Sequence, residues 1–381
     1  MKRYTARVLS CVQFMTQAGV YIHIPFCSSR CSYCDFATGI YQSELAERYV
    51  CALIEEIRSS AKAGARVDTI YFGGGTPSLL EPAQLASILE AVHERFDVDA
   101  SPEVTLEINP GSATLGRLRE FRRMGINRAS FGAQTFDDRE LAKLGRSHTA
   151  ADARRTFHDL RAAGFANVSF DLIAGLPGQT LARWQQNVDE ALELRPEHLS
   201  FYLLEVHSGT PLAQHIERGL QPKPDEDLAA VMYESMLERA AAAGYEHYEI
   251  SNLCLSGFQS RHNTKYWTGE PYFGFGCSAH SYDGARRRWS NQREVMEYVR
   301  LVEHGSNPLV EEHDLTTQEL RSEALFLGLR LMRGVSLDLC KQYETDLERF
   351  SEAGLLEVKG DLIRLTRHGA LLSNEVFAAF V

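Results

Sequence analysis

Three cysteines, Cys27, Cys31 and Cys34, crowd into the run FCSSRCSYC. Thiolates are soft ligands suited to zinc or to iron–sulfur clusters. A structural zinc site takes four protein ligands, usually with a second cysteine pair farther along the chain, and no second C-x2-C pair exists here. Three cysteines instead leave one iron of a four-iron cluster free to take a substrate or cofactor. The ordinary alternative, three free core cysteines, sits badly with a loop of serine and arginine. Cys11, Cys51, Cys254, Cys277 and Cys340 have no metal-binding spacing and are read as structural.

Such a loop has to be held by something. Six β-rich runs, at 20–25, 67–72, 104–108, 128–132, 168–173 and 199–204, are each followed by a helical pattern. The candidate helices lie near 44–63, 82–95, 113–124, 150–163 and 181–194, with apolar residues at helical spacing. Strands alternating with helices imply right-handed βαβ units and a parallel sheet. Six units are fewer than the eight of a closed barrel, so an α/β fold with an open, partial (β/α)6 barrel is expected. Parallel sheets carry their functional residues at the C-terminal ends of the strands. There the sequence has CSSRCSYC, GGGTPS, EINPGS, GAQTFD and DLIAGLPGQT.

Each of these motifs has a physical reading beside an ordinary one. Gly74 and Gly75, followed by Thr76, allow a bare backbone to approach a ligand and offer its N–H groups, although many turns are glycine-rich. Glu107 and Asp171 end strands three and five, where carboxylates accept from ribose hydroxyls or an ammonium; a lone strand-end acid is more often a turn residue. Gln134 and Arg146 complete the set, Arg146 being suited to a ligand carboxylate.

The organisation read from the chain is an N-terminal extension (1–19), the partial barrel (20–215), a connecting region (216–315) and a C-terminal unit (316–381). Residues 226–243 read as a helix, whereas 245–292 are aromatic and glycine-rich with few clear elements. Thr316 and Glu319 form a candidate capping box. The later run EVKGDLIRL reads as a hairpin turning at Gly360-Asp361, so the last unit has a winged-helix-like α+β plan. It carries eight Lys/Arg against ten Asp/Glu, which argues against DNA binding and for packing or a lid.

Composition narrows the class. Of 381 residues, 44% are hydrophobic and 24% charged, with a formal net charge of -11. That acidity argues against any nucleic-acid partner. No apolar run reaches the length of a bilayer span, and peripheral membrane contact stays compatible with the composition. The cysteine usage is not that of a secreted disulfide framework and points to a reducing, cytoplasmic setting. The start is basic and has no acidic residue before Asp35. Either a targeting peptide or a short extension fits that start; the extension is preferred, with Met15 as an alternative start.

The motifs YIHIPFCSSRCSYCDF, GGGTPS, LEINPGS, SFGAQTFD and DLIAGLPGQT, in that order, resemble the radical S-adenosylmethionine (SAM) superfamily, within it the coproporphyrinogen III oxidase-like branch. The resemblance extends over most of the chain. It implies a 4Fe-4S cluster on Cys27, Cys31 and Cys34 whose open iron chelates SAM, with one electron from the cluster cleaving SAM to a 5′-deoxyadenosyl radical. It also implies that Tyr21, Tyr33, Gly74, Gly75, Thr76, Glu107, Gln134, Arg146 and Asp171 contact SAM.

Two departures separate the chain from the oxidases of that branch. Phe36 stands where they carry a fourth cysteine, and only 20 residues precede Tyr21. Both features are similar to the HemW-type haem chaperones, as is RHNTKYW with the group's H-N-x-x-Y-W motif at His262, Asn263, Tyr266 and Trp267. GFGCSAHS at 274–281 also resembles a segment of that group. The resemblance implies haem as a third cofactor, His262 as its axial ligand, and delivery to haem proteins such as membrane respiratory enzymes. An imidazole ligand with neighbouring aromatics suits a flat apolar macrocycle, yet a histidine beside Tyr and Trp is more often a packing residue. The alternatives are an oxygen-independent coproporphyrinogen III oxidase and another porphyrin-directed radical SAM enzyme.

Overall fold

The computed structural model describes residues 17–380. The first half of the chain runs as β1 (Ala18–Ile24), the short pair β2 (Phe26–Cys27) and β3 (Gly39–Ile40), α1 (Ser43–Ser59), β4 (Arg66–Gly74), α2 (Pro82–Arg95) and β5 (Asp97–Ile108). It continues as α3 (Leu115–Arg123), β6 (Arg128–Gln134), α4 (Asp138–Lys143), α5 (Ala150–Ala162), β7 (Val168–Ala174), α6 (Leu181–Leu194) and β8 (His198–Leu203). Strands β1, β4, β5, β6, β7 and β8 pair parallel in that order, giving the expected α/β sheet of six parallel barrel strands.

Period-two alternation decides what each face does. Val20, Ile22 and Ile24 on β1, Ile70 and Phe72 on β4, Phe131 on β6 and Phe170 on β7 are all buried in the core that includes α1, α2, α5 and α6. Burying one such side chain contributes roughly 1.5–3 kcal/mol. The intervening positions are polar and face the barrel interior. Register sets Tyr21 beside Tyr71, Glu107 beside Ser130, and Asp171 between Gly132 and Ser200.

The stretch read as a connecting region continues the same sheet. It comprises α7 (Pro211–Glu217), α8 (Glu226–Ala242), β9 (Glu246–Glu249), β10 (Asn252–Cys254), α9 (Arg261–Thr268), β11 (Tyr272–Phe275), β12 (His280–Tyr282), β13 (Arg287–Asn291), α10 (Val295–Glu303) and β14 (Leu309–Asp314). β11 adds parallel to β1, β12 to β14 extend that edge antiparallel, and β10 and β9 extend the other edge beyond β8, making twelve strands. Strands of three to five residues between 245 and 292 are too short to display an alternating pattern. Their existence comes from edges that the barrel offers.

Some bounds differ from the reading. α1 stops at Ser59 because a turn leads to Gly64 at φ 72°. Ala18 and Gly19 already belong to β1; the rest of the extension through residue 16, including Cys11, lies outside the described residues. Of the other cysteines read as structural, Cys254, Cys277 and Cys340 are buried, whereas Cys51 is exposed.

The C-terminal part has its own core, centred on Leu325, Leu329, Phe350, Ile363 and Val376. It runs α11 (Thr317–Leu329), β15 (Val335–Ser336), α12 (Glu344–Glu352), β16 (Leu356–Lys359), β17 (Leu362–Leu365), α13 (Arg367–Leu371) and α14 (Ser373–Ala378). The capping box forms: Glu319 N–H donates to Thr316 Oγ1 at 3.2 Å and Thr316 N–H to Glu319 Oε2 at 2.6 Å. β16 and β17 make the hairpin around Gly360-Asp361. No helix among the described residues is long and apolar enough to cross a membrane.

Candidate functional site

The cluster loop leaves β1 at Ile24 and is fastened to both the sheet and the neighbouring loops. His23 Nε2 bonds Ala37 O at 3.0 Å while its Nδ1 takes the Tyr21 hydroxyl at 3.0 Å. Ser32 N–H donates to Leu144 O at 2.9 Å, and Leu212 N–H at the start of α7 donates to Ser32 O at 2.8 Å. The loop therefore hangs over the C-terminal ends of the barrel strands.

Cys27, Cys31 and Cys34 open on one cavity of about 440 Å³, within the range of small-molecule sites. Three half-buried thiols around that space suit a polynuclear cluster with room for a ligand beside it. Burial pushes the Cys27 and Cys34 thiols up; the Thr76 hydroxyl, 3.8 Å from Cys27 Sγ, works against this. Arg146 donates from Nη1 to Cys31 Sγ at 3.4 Å and from Nη2 to Asn109 Oδ1 and Gly132 O, both at 2.9 Å. The guanidinium thus ties the Cys31 sulfur to the loop after β5 and to the end of β6.

Tyr33, Gly74, Gly75, Glu107, Gln134, Arg146 and Asp171 line the same cavity. Gly74 has φ 108°, which a side chain rarely adopts, and a Cβ on Gly75 would stand 2.6 Å from Phe26 O. Backbone alone fits there. Gln134 is a non-glycine residue at φ 63°, strain of the kind that collects at ligand sites. Glu107 accepts from the Tyr71 hydroxyl at 2.8 Å and the Gly74 N–H at 3.1 Å. Burial, with Asp171 nearby, moves its carboxyl up to about 7 despite those donors. Asp171 is likewise raised by burial, and Ser200 and Ser130 hydrogen-bond it. The cavity thus presents a cation, two carboxylates, an amide and bare backbone to one ligand.

Two of the expected SAM contacts stand behind this wall. Thr76 is buried and accepts from Asn109 Nδ2 at 2.6 Å; Tyr21 lies deeper in the barrel, stacked on Tyr71. Asn109, which joins Thr76 to Arg146, went unnamed in the sequence reading although EINPGS contains it. His207, also on the cavity wall, carried no motif signal.

His262 is elsewhere. It sits on α9 at the N-terminal end of the barrel strands, 1% exposed, stacked on Tyr71 at 5.2 Å. Nδ1 meets Thr69 Oγ1 and Nε2 meets the Tyr266 hydroxyl, both at 2.9 Å. Burial, with Lys265 and Arg128 adding, lowers its pKa to about 3, so the ring is neutral. The Glu103 carboxylate accepts from the Arg261 and His262 N–H groups at 3.1 and 3.0 Å, fixing α9 in place.

A partial parallel barrel with three thiols on the loop after its first strand defines the radical SAM class, and residues 21–191 match the Radical SAM superfamily model while 315–372 match the HemN C-terminal domain. The Heme chaperone HemW of Bacillus subtilis (strain 168) is 38% identical over 373 residues, covering 95% of this chain and 98% of that one. The chain belongs to the HemW family of haem chaperones. Its counterpart in Lactococcus lactis is 37% identical over 370 residues, covering 95% and 96%. The Radical S-adenosyl methionine domain-containing protein 1, mitochondrial, of Mus musculus is 38% identical over 344 residues, covering 87% of this chain and 77% of that one. The structure of coproporphyrinogen III oxidase (HemN) from Escherichia coli, 24% identical, shares the fold with a TM-score of 0.83 over 97% of this chain and 91% of that one.

Proposed function

We propose that this chain binds a 4Fe-4S cluster through Cys27, Cys31 and Cys34, holds SAM in the adjoining cavity, and carries haem to haem-accepting proteins, membrane respiratory enzymes among them. The observation that carries the reading is convergence. Residues from the cluster loop, β4, β5, β6, the loop after α4, and β7 meet on one cavity, and their chemistry matches the ligand. The zwitterionic end of SAM has a carboxylate for Arg146, and its ribose has hydroxyls for the carboxylates of Glu107 and Asp171. When bound, a reduced cluster supplies one electron to SAM. The residues on this chain orient that ligand and hold the Cys31 sulfur beside a cation.

Phe36 occupies the position of the oxidase's fourth cysteine and is 65% exposed at the cavity mouth, which favours carriage over coproporphyrinogen oxidation. The test is anaerobic reconstitution of the full chain beside a Cys27→Ala, Cys31→Ala, Cys34→Ala variant. Wild type should show cluster absorbance, SAM binding, stoichiometric haem binding and transfer to an apo-haem protein, without turnover of coproporphyrinogen III. The variant should lose the absorbance and the SAM binding. Absence of haem binding, or clear coproporphyrinogen turnover above the variant, would refute the proposal.

A further inference from the structure

An imidazole holds haem iron when it has a free nitrogen lone pair and an apolar surface beside it for the macrocycle. His262 has both nitrogens engaged and is enclosed in the barrel. Among the described residues lining the cluster cavity, the one imidazole is His207. Its side chain is 45% exposed. Nδ1 is 3.9 Å from Asp35 Oδ2 and Nε2 is 3.6 Å from Glu205 Oε2, both beyond hydrogen-bond length. Neither nitrogen is committed to a hydrogen bond among the described residues.

The backbone at His207 is nonetheless fixed. Its carbonyl accepts from Thr210 Oγ1 at 2.7 Å, and Thr210 is the N-cap of α7, which itself holds the cluster loop through Leu212 and Ser32. The imidazole therefore stands on a braced turn beside the thiol loop, free at its tip.

Among the charged groups around it stand exposed apolar side chains. Phe36 is 65% exposed, Tyr202 43%, Val206 39% and Leu203 37%. Single exposed apolar residues are ordinary. Phe36 on the cluster loop and Tyr202 and Leu203 at the end of β8 line one cavity, with Val206 next to His207 in the chain, and together they mark a ligand surface. Arg30, exposed on the same rim, offers a cation to a carboxylate. A flat apolar macrocycle with acidic side chains and a metal at its centre matches all three features. The carboxylates of Asp35 and Glu205 complete the set, because a metal-bound histidine characteristically donates its other N–H to a carboxylate.

We propose that His207 is the protein ligand to the haem iron, and that Phe36, Tyr202, Leu203 and Val206 seat one face of the porphyrin over the mouth of the cluster cavity. The assignment rests on the haem-carrying reading above. An open seat with one braced ligand suits cargo that must leave again.

The test titrates the reconstituted full chain, its His207→Ala, His262→Ala and Leu203→Asp variants with ferric haem, followed by optical and electron paramagnetic resonance spectra. His207→Ala should raise the haem Kd at least tenfold and remove the histidine-ligand spectrum, with added imidazole restoring it; circular dichroism should show the fold unchanged. Leu203→Asp should weaken binding without changing the ligand class. His262→Ala, in its folded fraction, should keep the wild-type spectrum. An unchanged His207→Ala titration and spectrum, or loss of the histidine spectrum in folded His262→Ala alone, overturns the assignment while leaving haem carriage intact. Wild type that takes up no haem removes the carriage reading and this assignment together.

Discussion

The geometry at His262 makes a stability prediction that separates a buried packing imidazole from a ligand waiting for iron. The ring is enclosed, neutral, and bonded at both nitrogens by Thr69 and Tyr266. In the folded chain its pKa is about 3 against an ordinary 6.5. Because the unfolded chain takes up a proton near 6.5 and the folded ring does not, acid favours unfolding. The contribution is complete above pH 6.5 and is lost as the pH falls from 6.5 towards 3. At about 1.4 kcal/mol per unit, lowering the pH from 7.5 to 5 should remove about 2 kcal/mol. His262→Ala should cost about 2–4 kcal/mol at pH 7.5, from the lost ring packing and two stranded hydroxyls. The assay is urea unfolding of the cluster-free chain at both pH values, followed by circular dichroism. The difference between wild type and variant should shrink by about 2 kcal/mol at pH 5, which isolates this ring from the other buried histidines. A difference that is the same at both pH values would refute the reasoning, because the ring would then titrate alike in the folded and unfolded chain.

Two further outcomes follow from the cavity. Arg146→Lys keeps the charge but not the fork that spans Cys31, Asn109 and Gly132, so SAM affinity should fall about tenfold while the cluster still assembles; equilibrium dialysis with labelled SAM measures it, and unchanged affinity rejects the role. Glu107 binds its proton more tightly folded than unfolded, at about 7 against 4.5. Its contribution to the stability of the ligand-free chain is therefore full below pH 4.5 and lost as the pH rises through 7. That loss amounts to roughly 3 kcal/mol before screening by cavity water. Glu107→Gln should flatten this decline in thermal unfolding between pH 5 and 8.5, and an equally steep decline in the variant would contradict it.

Local signals in the chain were enough for the parallel sheet, the cysteine loop and the ends of several elements. Alternation along VYIHIP or VSFDLI needs only the chain's own stereochemistry, and so does the reciprocal bonding of Thr316 and Glu319. Strand-end motifs meet on one cavity because a parallel sheet exposes all its strand ends on one rim. Other features depend on partners far away in sequence. β12 to β14 exist because β11 docks on β1 and offers an edge, which no run of three to six residues encodes by itself. The H-N-x-x-Y-W pattern announces an imidazole but not its surroundings. Only the fold brings Thr69, from a strand 193 positions away, to one nitrogen of His262 and Tyr71 to its face. Conversely, His207 stands in a plain turn, EVHSGT, with no motif. It acquires chemical interest only when the loop after β8 is braced against the cluster loop. Exposure, free lone pairs and shared cavities are properties of packing; they arise when distant segments meet, and no spacing within one segment contains them.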